Sequence, residues 1–118
     1  MFVRETYRSD DWYHDINVCD STGRLRTGQE ATYHIAGPLC FSGDYIRRNV
    51  KLPADVCEGD YVLIHDTGAY TFSMWSLYNS RQFPVILGYE EAGKAFHRLR
   101  HRQSEDDIAK FWSGDDVV

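Results

Sequence analysis

Glu58-Gly59-Asp60-Tyr61-Val62-Leu63-Ile64-His65 reads as a turn followed by a strand, and it is the plainest secondary-structure signal in the chain. Gly and Asp supply the turn chemistry. The unbroken apolar run after them predicts a strand buried on both faces or lying at a barrel seam. Working upstream, Tyr45 to Leu52 is a mixed segment that ends at Pro53. Ala31-Thr32-Tyr33-His34-Ile35-Ala36 is a strand candidate, closed by Gly37-Pro38, because Pro cannot donate to a ladder. Trp12 to Cys19 places Ile16 and Val18 on one face, and Asp20-Ser21-Thr22-Gly23 follows as a turn. Downstream, Pro84 to Tyr89 is a strand with Pro at its edge. Ser104 with Glu105-Asp106-Asp107 forms an N-cap and an acidic first turn, and Ile108, Phe111 and Trp112 then share one helical face. The expected fold is mainly β: a Greek-key-like β-barrel or sandwich with a short C-terminal helix, residues 1–118 forming a single domain.

Composition agrees with that class and excludes several functions. The chain has 118 residues, 14% of them aromatic, which suits half-buried pleated surfaces. A net charge of −5 argues against a nucleic-acid partner, which would require a basic patch. The basic cluster His97-Arg98-Leu99-Arg100-His101-Arg102 is followed at once by acidic residues and reads as a solvated link before the helix. Cys19, Cys40 and Cys57 lack CxxC spacing, so neither a disulfide framework nor a metal site is expected. The opening residues carry no apolar signal-peptide run, and no stretch approaches the ~20 apolar residues of a membrane helix. A reducing, cytoplasmic setting is the expectation.

Two loop-like segments mix small residues with reactive ones: Gly37-Pro38-Leu39-Cys40-Phe41-Ser42-Gly43-Asp44, and Asp66-Thr67-Gly68-Ala69-Tyr70 continuing to Arg81. Loops on a rigid β scaffold commonly carry functional groups. A thiol titrates near ~8.5 and can deliver a proton at neutral pH. Cys40 is therefore a candidate proton donor, although cysteines also often fill buried space. Tyr70 can offer its phenol to a phosphate oxygen, or pack in a core with its hydroxyl satisfied. Met74 and Trp75 read as core residues.

The run Gly-Pro-x-Cys-x-Ser-Gly-Asp, followed by Asp-Thr-Gly-Ala-Tyr-x-x-Ser-Met-x-Ser-x-Tyr-Asn-Ser-Arg, resembles the C-terminal β-domain of the diaminopimelate, ornithine and arginine decarboxylase family, with the diaminopimelate branch nearest. The resemblance spans roughly residues 12–112. It implies an enzyme that holds pyridoxal phosphate on a lysine of an N-terminal (β/α)8 barrel and works as a homodimer with active sites between subunits. By the matching positions, Cys40 is the proton donor after CO2 loss and Tyr70 contacts the cofactor. Gly68 and Gly43 shape the backbone, and Tyr78 lies near the dimer interface. Phe41 and Asp44 fall on the substrate side. Phe41 stands where the family carries an acidic reader of the substrate's distal end, and an apolar ring cannot pair with an ammonium group. A chain of 118 residues also cannot hold a barrel of about 250. Lys51, Lys94 and Lys110 lie in no Schiff-base-like segment. The barrel is thus expected outside this chain, which acts on an amino-acid substrate only when assembled. The alternative is a non-enzymatic, decarboxylase-like module that pairs with an active relative. A stand-alone domain binding an unrelated ligand is a third reading.

Overall fold

Strand β1, Ile16–Cys19, turns Ile16 and Val18 to one side, and β3, Tyr45–Pro53, does the same with Val50 and Leu52. Residues two apart share a face of a strand, so each pair forms an apolar stripe. The two stripes form the core, with Tyr33, Ile35, Ile46 and Val56 packed against it. The computed structural model describes residues 14–114. Trp12, Tyr13 and the polar opening segment lie outside the described residues. The contacts gather the chain into two units, the first ending at Ser76 and the second beginning at Leu77. Among the described residues the fold is mainly β with a short C-terminal helix, its strands paired as three two-stranded antiparallel sheets.

In the first unit, β2, Glu30–Ala36, pairs with β3, setting Ala31 opposite Leu52 and Tyr33 opposite Val50. The register then slips twice. Tyr33 faces Val50 but Ile35 faces Arg47, so His34 stands against both Arg48 and Asn49. Asn49 takes the left-handed conformation at φ 55°, and its N–H donates to His34 Nδ1 at 3.2 Å. Asn accepts that conformation more readily than most residues. Next, Ile35 faces Arg47 while Ala36 faces Tyr45, which leaves Ile46 as the extra residue. Bulges bend a strand and increase its twist. Both lie at the end of the hairpin that leads into the loop 37–44. There the Arg48 guanidinium stacks 3.4 Å from the centre of the Tyr45 ring.

Strand β4, Tyr61–Ile64, pairs with β1, from Ile16 opposite Ile64 to Cys19 opposite Tyr61. The strand forms as its sequence predicts, but its burial does not. Tyr61, Val62 and Leu63 are all exposed, which corrects the expectation of a strand buried on both faces. Among the described residues β4 has β1 as its one strand partner. An apolar run says that a strand has surface to bury; it does not say which chain buries it.

Arg26 ties the turn around β4 to the rest of the unit. Its Nη1 donates to Asp55 Oδ2 at 2.8 Å and its Nη2 to Asp60 Oδ1 at 2.8 Å, with Nε 2.7 Å from Asp60 Oδ2. Asp60 also accepts the Cys57 N–H at 2.9 Å. The Arg26 hydrogen bonds, followed by the Cys57 amide, hold the Asp60 carboxyl below the usual carboxylate range against the opposing effect of burial. Such forked, charge-assisted bonds are the strong class.

In the second unit, β5, Ile86–Glu90, and β6, Ala95–Arg100, form a hairpin. Tyr89 and Phe96 face each other with ring centres 5.0 Å apart. Residues 97–100, read from sequence as a solvated link, are strand; the link is only 101–103. The polar run His97-Arg98 with Arg100 hid the strand, because an exposed hairpin face need not be apolar. Arg100 lies over the Phe83 ring, 4.0 Å from its centre. Phe83 is buried, and its backbone is held at both ends by Gln103: Phe83 N–H donates to Gln103 Oε1, and Gln103 N–H donates to Phe83 O, each at 3.0 Å. Helix α1, Glu105–Ser113, starts with a full capping box between Ser104 and Asp107.

Arg26→Ala strands the Asp60 carboxylate, whose side chain is 4% exposed, whereas Asp55→Ala removes a partner 63% exposed. Thermal melts will therefore show a much larger loss for Arg26→Ala. Because the Asp60 pKa is lowered on folding, its contribution is complete above the unfolded value of ~3.9 and fades as pH falls through the folded value. The gap between wild type and Arg26→Ala should thus shrink on acidification below about pH 4. In the second unit, Ser104→Ala should cost about 1 kcal/mol by denaturant titration, read from the helical signal.

Candidate functional site

The loop 37–44 joins β2 to β3 directly after the bulges, and its shape is set by Asp44. Asp44 is 7% exposed, a buried charged residue. Its Oδ2 accepts the Leu39 N–H at 2.8 Å, its own N–H donates to Phe41 O at 3.0 Å, and its carbonyl accepts the Gly37 N–H at 2.7 Å. A Cβ at Gly37 would collide with that carboxylate, and a Cβ at Gly43 would stand 2.6 Å from Phe41 Cε1. A side chain at Gly37 would have to displace the buried carboxylate, whereas one at Gly43 would have to push aside only the exposed Phe41 ring. The Phe41 N–H donates to Leu39 O at 2.8 Å, which closes a three-residue γ-turn centred on Cys40. Cys40 and Phe41 emerge exposed from this turn.

The second segment follows β4. Thr71 N–H donates to Ala69 O at 2.8 Å, so Tyr70 is likewise the centre of a γ-turn, here with φ 63°. That is the strained hand of the turn, and for an aromatic residue it costs on the order of 1 kcal/mol or more. The strain is held in place from the other side: Tyr70 O accepts Met74 N–H at 2.9 Å and Ser73 Oγ–H at 3.2 Å. The ring stands 64% exposed. Nothing lies within 4 Å of a Cβ built at Gly68, so the space beside the turn is open.

Cys40, Phe41 and Asp44 thus share one loop, and Gly68 and Tyr70 share another in the same unit. Tyr78 belongs to the second unit, in a 3-10 turn Tyr78–Ser80. Met74 is exposed beside Tyr70, as is Phe72, whereas the sequence reading placed Met74 in a core. The alternation Tyr70, Phe72, Met74 was the available signal for an apolar surface there. None of the three lysines lies on either loop. Lys51 is on β3 and donates to Thr32 Oγ1 at 2.7 Å, Lys94 is in the β5–β6 turn, and Lys110 is on α1. Among the described residues no group of His, Cys, Asp and Glu is arranged to hold a metal ion, and no helix is long and apolar enough to cross a membrane. The chemistry on offer is a thiol and a phenol, both presented outward on turns stiffened from behind.

Residues 3–68 match the family model of the pyridoxal-dependent decarboxylase C-terminal sheet domain. Diaminopimelate decarboxylase of Escherichia coli (strain K12) is 39% identical over 104 residues, covering 81% of this chain and 24% of that protein. The crystal structure of diaminopimelate decarboxylase from M. jannaschi superimposes with a TM-score of 0.73 at 30% identity, over 92% of this chain and 22% of that one. The Helicobacter pylori enzyme, crystallised with L-lysine, gives a TM-score of 0.72 at 27% identity, over 86% and 23%. The chain therefore spans about a quarter of the length of the proteins it matches. It belongs to the family of pyridoxal-dependent decarboxylase C-terminal sheet domains.

Proposed function

We propose that residues 1–118 act as one C-terminal β-domain of a cytoplasmic, pyridoxal-phosphate-dependent amino-acid decarboxylase of the diaminopimelate type, completing an active site at a homodimer interface with an N-terminal barrel that this chain does not contain. The observation that carries the reading is the exposed Cys40 at the centre of a turn whose two flanks are fixed by Asp44. A reactive group held so firmly yet left at the surface is suited to a site finished by another surface.

Pyridoxal phosphate, when bound, supplies the electron sink that lets CO2 depart. What falls to this chain is protonation and orientation. The Cys40 thiol gives its proton to the α-carbon from which CO2 has left, and the resulting thiolate recovers a proton from solvent. The Tyr70 phenol donates to a phosphate oxygen, and its strained turn keeps it aimed. Phe41 contributes an apolar wall on the substrate side. Its similarity to an enzyme crystallised with L-lysine points to an α-amino acid with a distal ammonium group, the chemistry of lysine formation. The acidic partner for that ammonium must then come from a residue other than Phe41.

Phe41 is also the observation that favours a second reading, in which the domain pairs with an active decarboxylase and adds no catalysis. One experiment separates the two. In the assembled holoenzyme, Cys40→Ala should lower kcat by roughly a hundredfold or more with little change in KM, the usual worth of a positioned general acid. Tyr70→Phe should raise the pyridoxal phosphate concentration needed for half-maximal activity. Undiminished turnover in Cys40→Ala would remove the proton-donor role and favour the pairing module.

A further inference from the structure

We infer that Asp44 is the positioning residue for Cys40, acting through the Leu39 amide to fix the turn that carries the thiol. The inference rests on the proton-donor reading of Cys40 given above.

A carboxylate seldom leaves water, and one that does must find donors. Asp44 is buried, and its Oδ2 accepts the N–H of Leu39, the residue immediately before Cys40. Its backbone N–H holds the carbonyl of Phe41, the residue immediately after. Its carbonyl takes the Gly37 N–H and so closes the neck of the loop. One residue thereby grips the peptide on both sides of the thiol. The γ-turn bond from Phe41 N–H to Leu39 O spans the same two residues, so the turn and the grip support each other. The spacing Gly-x-x-x-x-x-x-Asp has a physical reason as well: Gly37 leaves room for the carboxylate, where a methyl group would not fit.

This arrangement makes Asp44 a residue that sets where the thiol sits, not one that reads the substrate. The two roles differ in measurable ways. A substrate reader needs its charge, and its loss raises KM. A loop latch needs an acceptor oxygen, its loss lowers kcat, and it matters only while Cys40 is there to be positioned. Misplacing a reacting group by about 1 Å can cost on the order of a hundredfold in rate.

The test is a set of holoenzyme variants: Asp44→Ala, Asp44→Asn and Gly37→Ala, each made with Cys40 and with Cys40→Ala, together with hydrogen exchange at the Leu39 amide. Asp44→Ala and Gly37→Ala should each lower kcat about ten- to a hundredfold with KM nearly unchanged. Asp44→Asn keeps an oxygen for the Leu39 N–H and should recover most of that loss. In the Cys40→Ala background the same substitutions should cost nothing more, since coupled residues are not additive. Leu39 amide exchange should speed up at least tenfold in Asp44→Ala and little in Asp44→Asn. Additive losses, or an Asp44→Asn variant as impaired as Asp44→Ala, would overturn the positioning role while leaving Cys40 as the donor. Full activity in Cys40→Ala would instead overturn the donor reading and the positioning role with it. A variant too unstable to assay shows as lost amide protection throughout the chain, and Asp44→Asn then decides the matter.

Discussion

A buried carboxylate has to be satisfied, and Asp44 is satisfied by the very loop it ends. That constraint organises the candidate site. The Leu39 amide supplies the donor, so the chain must double back within five residues. Gly37 leaves the room in which the carboxylate lies across it. The bulges at His34 and Ile46 bend the hairpin just below, where an unbroken ladder would have carried the strands straight on. Behind the bend, Ile16, Val18, Val50 and Leu52 provide the rigid base. Core, bulge, latch and thiol form one causal line from buried apolar stripes to an exposed reactive group.

The second loop solves a related problem by a different route. Cys40 and Tyr70 each stand at the centre of a γ-turn, the tightest way to push one side chain out of a backbone. The first turn is braced by a buried carboxylate. The second is braced by hydrogen bonds to the Tyr70 carbonyl and carries positive-φ strain. Strain of this kind persists only where surrounding structure enforces it, and such places are often functional.

Part of the fold was legible in the sequence. Ile16 with Val18 obey the strand period and are buried, and Ser104 with the acidic residues after it announced the helix start, a local hydrogen-bonded pattern that needs no burial. Val50 and Leu52 share a face just as Ile16 and Val18 do, but the charged and polar residues between Tyr45 and Pro53 obscured that stripe. What was not legible concerns surfaces left exposed among the described residues. Tyr61, Val62 and Leu63 form a strand that looks buried by composition yet is exposed, and β6 hid behind its polar run His97-Arg98 with Arg100. Within the site, Cys40 and Tyr70 could be singled out by residue type and by family resemblance. The Asp44–Leu39 bond could not be foreseen, since nothing in the letters says that a loop carboxylate turns inward rather than toward a substrate. Likewise, the boundary at Ser76 falls inside the second motif and leaves no compositional trace.

On the proposed function, the exposed Cys40 belongs to an active site completed by another chain's surface. The most direct test is the alkylation rate of Cys40, followed by peptide mass analysis, in this chain alone and in the assembled holoenzyme saturated with a non-reactive amino-acid analogue. The account predicts rapid labelling of the chain alone and at least tenfold slower labelling in the occupied assembly, while the buried Cys19 labels slowly in both. Equal Cys40 rates in the two states would show that the thiol lies outside the active site, and the account would fail.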